Sequence, residues 1–367
     1  MDNATHTLLG LSLAKAGLER ITPLATSTLL ISSNLPDIDV VAGLGGGTFA
    51  YIKYHRGITH SLIGVLVLSL IFTLILTAFD RGVRLRFSRF IRPVLPTRIF
   101  LLCCIGTLGH ILMDAGNSYG ARPLLPFSDR WFYGDLLFVV DPWIWLILGS
   151  TTVWLTTTDS FRSLVWLAIG TAAALVVWMA MRQPGFGSNS VPNLPRFIWF
   201  GGLFIVLLGG LLKWGKAGSK LARWSLTALC LYCAAMWMLH QSALDNAVKS
   251  SPRADLKTFL VTPAPLLPTS WTAIAAGPEG VATRPISLLH DQPASWVTTQ
   301  AIDPVFLDAI RESERVRAFL KFARIVAATV EEQENGYTVT VRDLRFSLTM
   351  TVHLDQDLRV QSEQVHW

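Results

Sequence analysis

Charge is what this chain has least of. Of its 367 residues only 15% are Asp, Glu, Lys or Arg, against about a quarter in ordinary soluble domains, while 51% are hydrophobic and the mean hydropathy is +0.44. That balance excludes an ordinary soluble enzyme and leaves a polytopic membrane protein. Cysteine is scarce too. Cys103, Cys104, Cys230 and Cys233 all fall inside apolar stretches, and the lone C-x-x-C has neither a second pair nor polar neighbours, so buried thiols are expected and not a zinc or redox centre. The N-terminus, MDNATH, is not basic, so it lacks the pattern of a cleavable signal peptide. Repeats and low-complexity tracts are missing. Gly43–Gly47, GLGGG, has no following Lys-Ser/Thr and no strand before it, which excludes a phosphate loop and suggests a hinge. The formal charge of +6 is not grouped into a face, so no nucleic-acid partner is expected.

What the chain does have is long apolar runs. Thr7–Leu18, Pro23–Leu35, His60–Phe79, Ile99–Met113, Leu136–Leu155, Phe161–Met181, Phe197–Leu212 and Trp224–Leu239 read as about eight helices, mostly long enough to cross about 30 Å of hydrocarbon. The first two are shorter and are either tilted spans or helices half-buried against the bundle. Arginines crowd the loop between Phe79 and Ile99, and lysines with Arg223 crowd the loop between Leu212 and Trp224; both are placed inside by the positive-inside tendency. Alternation then puts His6, Asp37, Asp39, His55, His60, His110, Asp114 and Asp141 together on the extracytoplasmic side. The expected organisation is a helical membrane domain over 1–245, a proline-punctuated linker over 246–268 and a soluble extracytoplasmic α+β domain over 269–367. In that last domain Ser270–Ala276 and Val281–Leu289 read as strands around a Gly277–Gly280 turn. Asp303–Phe319 reads as a helix capped by Asp303, and four alternating segments follow, with a hairpin at Glu334-Asn335-Gly336.

The candidate chemistry lies in the first third of the chain. His110 and Asp114 are spaced i, i+4, so they project from one helical face and suit a metal ion; a hydrogen-bonded pair tying helices together is the structural alternative. Asp37 and Asp39 follow Pro36; in extended backbone both carboxylates reach one site, and the alternative is a helix cap. His55 and His60 flank Arg56-Gly57-Ile58-Thr59. Imidazoles with carboxylates are typical of hydrolytic metal centres, and Arg56 can neutralise a phosphoryl group or simply sit at the interface. His6 opens the first apolar helix. Asp141, before Pro142, is an N-cap or a further ligand. His240, His290, His353 and His366 lack ligand company and read as surface residues.

These pieces, His6-Thr7-x-x-Gly10, Asn34-Leu35-Pro36-Asp37-Ile38-Asp39, His55-Arg56-Gly57-Ile58-Thr59-His60-Ser61 and Gly109-His110-x-x-x-Asp114, resemble the signature of the bacterial inner-membrane, metal-dependent hydrolases of the YdjM type, also called LexA-binding hydrolases. The resemblance covers residues 1–145 closely. Phe319-Leu320-Lys321-Phe322 and Asp343-Leu344-Arg345-Phe346 look like the trailing domain of longer members. The resemblance implies a bacterial inner-membrane location and a distant similarity to zinc-dependent phospholipase C and the P1-type nucleases. Those enzymes use more histidines and an N-terminal tryptophan where this chain has Met1, so two metals are expected here, zinc first with manganese or magnesium as alternatives.

The reading is therefore a membrane-embedded hydrolase of phosphoester bonds in a lipid or lipid-linked substrate. Its metal ligands would be His6, Asp37, Asp39, His55, His60, His110 and Asp114; Asp37, Arg56 and Asp141 would serve the reaction. The alternative is a non-enzymatic, metal-dependent sensor or scaffold whose soluble domain binds a partner. An ion transporter is disfavoured because the last three spans carry almost no ionisable residues.

Overall fold

The computed structural model describes residues 1–87, 92–182, 193–215, 218–289, 295–346 and 348–366. Arg89, Lys216 and His290 therefore lie outside the described residues. The chain forms two compact units, one of 1–38, 58–237 and 264–268, the other of 39–57, 238–263 and 269–367.

The first unit is helical. Helix α1 (Asn3–Lys15) starts at Asp2, whose carboxylate accepts from the Thr5 N–H, a side-chain cap for an otherwise orphaned donor. Helix α2 (Ala25–Ser32) is only eight residues, about 12 Å at 1.5 Å per residue. After α3 (Val41–Tyr54), which belongs to the second unit, comes α4 (Leu62–Phe79), capped by Ser61 and continued through a π-helical turn into α5 (Leu85–Phe87). Then follow α6 (Pro96–Ala115), α7 (Pro142–Thr156), α8 (Ser160–Ala180), α9 (Asn193–Leu211) and α10 (Ser219–Lys249). Each of the eight expected apolar runs thus contributes one helix. Among the described residues five segments, 62–87, 96–115, 160–180, 194–211 and 219–249, are long and apolar enough to cross a membrane. The short α1 and α2 pack inside the bundle with α6 around Ala14, Ala25, Leu29 and Leu102, all at most 1% exposed. Glycine makes that packing close. A Cβ on Gly106 would strike the Ser32 side chain, and one on Gly10 would lie 2.5 Å from Ser33 Oγ, so α1 and α6 grip the end of α2 from two sides.

The second unit carries two four-stranded sheets. One has the order β1 (Thr258–Ala264), β2 (Leu267–Gly277), β3 (Gly280–Ser287), β4 (Val297–Gln300); the other is a β5 (Val326–Gln333), β6 (Gly336–Asp343), β7 (Thr349–Leu354), β8 (Val360–His366) antiparallel meander. The 277–280 and 334–336 turns fall where the sequence puts them, and Gly336 has φ +144°, which favours glycine. Three details differ from expectation. The 246–268 stretch is the end of α10 followed by β1, and its Pro263 is tolerated because β1 is an edge strand. The single helix expected from Asp303 is two, α11 (Pro304–Ile310) and α12 (Glu314–Phe322), because the Ser313 hydroxyl caps a new start by accepting from the Arg315 and Val316 N–H groups. The glycine-rich hinge is built into helix α3, kinked at Gly47 with φ +62°. Helix α3 packs on α12, with Lys53 Nζ 2.5 Å from Glu314 Oε1 and the Arg315 guanidinium over the Phe49 ring. The two trailing motifs meet here too: the wholly buried Arg345 pairs with Asp343 at 2.7 Å, donates to the Phe322 carbonyl and lies against the Phe322 and Phe346 rings.

Candidate metal centre

Four side chains converge at one end of the helical unit. Asp37 comes from a 3₁₀ turn (Leu35–Val40) after α2, His60 from another (Ile58–His60) that leads into α4, and His110 and Asp114 from the last turns of α6. One donor atom from each lies within 4.8 Å of all the others. The two imidazole Nε2 atoms are 3.1 Å apart. Asp37 Oδ1 stands 3.3 Å from His60 Nε2 and 3.4 Å from His110 Nε2, and Asp114 Oδ2 stands 3.4 Å from each. Donors about 2.0–2.1 Å from a tetrahedral zinc-sized ion are themselves roughly 3.3–3.4 Å apart, so this spacing fits a single ion.

The hydrogen-bonding around the cluster points the same way. His110 Nδ1 lies 2.7 Å from the Ser33 carbonyl, which can only accept, so Nδ1 carries the proton. The His110 Nε2 lone pair is then aimed at two carboxylates and a second imidazole. Buried at 0–1% exposure apart from Asp37 at 10%, such an arrangement needs positive charge at its centre, either a further proton or a cation. A backbone carbonyl holding the far nitrogen of a ligating imidazole is a common metal-site device. Thr59 Oγ1 lies 3.1 Å from His60 Nδ1 and plays the corresponding part there. Burial opposes charge on Asp37; in the metal-free cluster, with a further proton on the His110 and His60 rings donated towards it, the carboxyl is held well below the usual range.

His6 is beside this group and not within it. Its ring stacks on His110 with centroids 3.6 Å apart, and Nε2 is 3.4 Å from Asp114 Oδ1, which also meets the Met1 amino group. Burial, with the neighbouring His110 ring, pushes the His6 imidazole down to about 3, so it is a neutral base with a lone pair to offer.

Three expectations are corrected by the local structure. Asp37 and Asp39 come from a 3₁₀ turn that begins at Leu35 and not from extended backbone. Asp39 Oδ1 meets His55 Nδ1 at 2.9 Å and its Oδ2 accepts from the Arg56 N–H, within the second unit, where His55 stacks on Tyr51. Asp141, read as a cap or a ligand and as serving the reaction, is the cap of α7. Its Oδ1 accepts from the Trp143 and Ile144 N–H groups and its Oδ2 from the Tyr232 hydroxyl at 2.9 Å, which occupies both oxygens. Arg56 is a buried residue with φ +57°, not an interface cation. His353 and His366 are exposed, as expected, while His240 is half-buried with its ring edge-on to Trp271. Sequence reasoning missed Ser33, although a helix that ends just before Pro36 leaves carbonyls seeking donors.

Two families match different parts of the chain. Residues 305–367 match the family described as the YfhP C-terminal alpha/beta plait domain. The whole chain aligns with the uncharacterized protein YfhP of Bacillus subtilis (strain 168), 23% identical over 385 residues and covering 95% of that protein. No solved structure matches. Residues 1–185, half of the chain and the half that holds the four-donor cluster, match the family described as YdjM inner membrane protein, and the chain belongs to that family.

Proposed function

We propose that this protein is a membrane-embedded, metal-dependent hydrolase acting on a phosphoester bond of a lipid or lipid-linked substrate, with Asp37, His60, His110 and Asp114 as the principal ligands. The observation that carries this reading is the set of two imidazoles and two carboxylates with donor atoms within 4.8 Å of one another, in a unit otherwise poor in charge. A donor set of this kind suits zinc, with manganese or magnesium as alternatives, and the ion would supply Lewis acidity and a water of lowered pKa. The Ser33 carbonyl and Thr59 hydroxyl hold the two imidazoles in orientation. Asp37 is the most accessible of the four ligands, at 10% exposure. His6 and Asp114 are the residues that would hold a second ion. The arginine-rich turn after α4 supports an extracytoplasmic position for the site by the positive-inside rule.

The test is turnover. Purified protein in nanodiscs, loaded with zinc or manganese, is expected to release phosphorylated headgroups or products from a panel of phospholipids and bis-aryl phosphodiesters, to stop with a chelator, and to resume on metal addition. Metal-loaded protein that turns over nothing in the panel would overturn the hydrolase reading and favour a metal-dependent sensor or scaffold.

A further inference from the structure

The helical unit contains a cleft of about 530 Å³ between α1, α7, α8 and α9, within the size range of ligand sites, roughly 300–1,000 Å³. It lies along the helix axes. Its walls run from Trp145 to Val153 on α7 and from Trp166 to Val176 on α8, which at 1.5 Å per residue is about 12–15 Å of continuous slot. The three indoles that line it all spend their N–H elsewhere. Trp145 donates to Asp2 and Thr5, Trp166 to Thr156, and Trp199 to the Pro142 carbonyl. Apart from Asn3 and Thr7 at one end, the slot therefore shows ring faces and aliphatic groups, and apolar cavities do not hold water stably.

Its two ends differ. At the start of α1 stand the exposed Asn3 and Thr7; the lining by Val153, Trp166 and Leu207 is apolar. Helix α1 separates it from the metal ligands: His6 faces His110, while Ala4 and Leu8 of the same helix line the slot. Two of its walls, α8 and α9, are helices of membrane-crossing length and hydropathy. An elongated site that is polar at one end, apolar along its length and walled by hydrocarbon-facing helices fits one occupant. We propose that this slot seats a single acyl chain of a membrane lipid, with the lipid's polar end beside Asn3 at the start of α1. The inference gives the proposed hydrolase a substrate with a fatty tail, but the slot stands on its own geometry.

The glycines supply the test. A Cβ on Gly149 would meet nothing within 4 Å and Gly149 lines the slot; one on Gly201 would also meet nothing, but Gly201 faces outward on α9. The full-length protein in nanodiscs of phosphatidylglycerol carrying a mid-chain diazirine is irradiated, and the adducts are mapped by mass spectrometry. Adducts are expected on Ala4–Leu8 and Trp145–Val153. Gly149→Leu, and independently Ala173→Leu from the opposite wall, should lower them at least fivefold relative to outward-facing adducts, and Gly201→Leu should leave them unchanged. No adducts in those segments, or adducts equally strong in both filling variants when these elute as monodisperse protein, would overturn the slot. The readout needs neither turnover nor bound metal, so a protein that crosslinks as expected yet hydrolyses nothing would reject the hydrolase proposal and retain this one.

Discussion

The grip of α6 on the end of α2 should control metal affinity from a residue that is not a ligand. Gly106 sits one helical turn before His110. A Cβ there would fall on Ser32 Oγ, 3.0 Å from Ser32 Cβ and 3.1 Å from the Ser33 nitrogen, so Gly106→Ala must push α2 and α6 apart at the point where the Ser33 carbonyl holds His110 Nδ1. Alanine in a helix interior ordinarily gains about 0.5–1 kcal/mol over glycine, whereas overpacking costs about 1–3 kcal/mol. A net loss of about 1–2 kcal/mol in stability is expected. Disturbing the partner of a ligating imidazole typically costs about 10–100-fold in metal affinity, measurable by competition with a fluorescent zinc chelator on detergent-purified protein. Adding Ser32→Ala removes the worst contact and leaves the other two, so the double variant should recover only part of the affinity. Gly201→Ala, with open space around it, is the control. A Gly106→Ala protein that binds zinc within twofold of the Gly201→Ala control would refute the reasoning.

Three further outcomes follow from other parts of the molecule. Asp141→Ala removes the cap of α7 and a partner of the Tyr232 hydroxyl, at a cost of about 1–3 kcal/mol in thermal unfolding, yet metal content should stay at the wild-type level; metal loss would return Asp141 to the ligand set. Arg345→Met strands the buried Asp343 carboxylate and should destabilise the C-terminal domain by about 3–5 kcal/mol, seen as early protection loss in hydrogen exchange of β5–β8; unchanged exchange would show the pair to be dispensable. His6→Ala should reduce the stoichiometry or affinity of a second ion while leaving the first in place, and metal analysis that shows both lost together would make His6 part of the primary set.

How far the sequence speaks depends on how local the cause is. Apolar length and loop charge are local, so eight helices could be read directly, as could the Asp303 cap and the 334–336 turn. The i, i+4 spacing of His110 and Asp114 and the string around His60 likewise placed three of the four converging ligands. Helix α3 was not legible, since GLGGG argues against a helix and what supports it, Glu314 and Arg315 of α12, lies some 260 residues on. Asp141 before Pro142 suits cap and ligand equally in one dimension; the Tyr232 hydroxyl, distant in sequence, decides for the cap. Asp37 and Asp39 were read in extended backbone, and the chain there is a 3₁₀ turn, which the alternation of residue types does not reveal.

The account rests most heavily on a cation shared by Asp37, His60, His110 and Asp114. Elemental analysis of the full-length protein, purified without chelators, beside the four single alanine variants and Asp141→Ala, addresses it directly. Near-stoichiometric zinc or manganese in the wild type and in Asp141→Ala, with loss in each of the four, is the expected pattern; a metal-free wild type that also fails to take up added metal, or ligand variants that keep theirs, would contradict it.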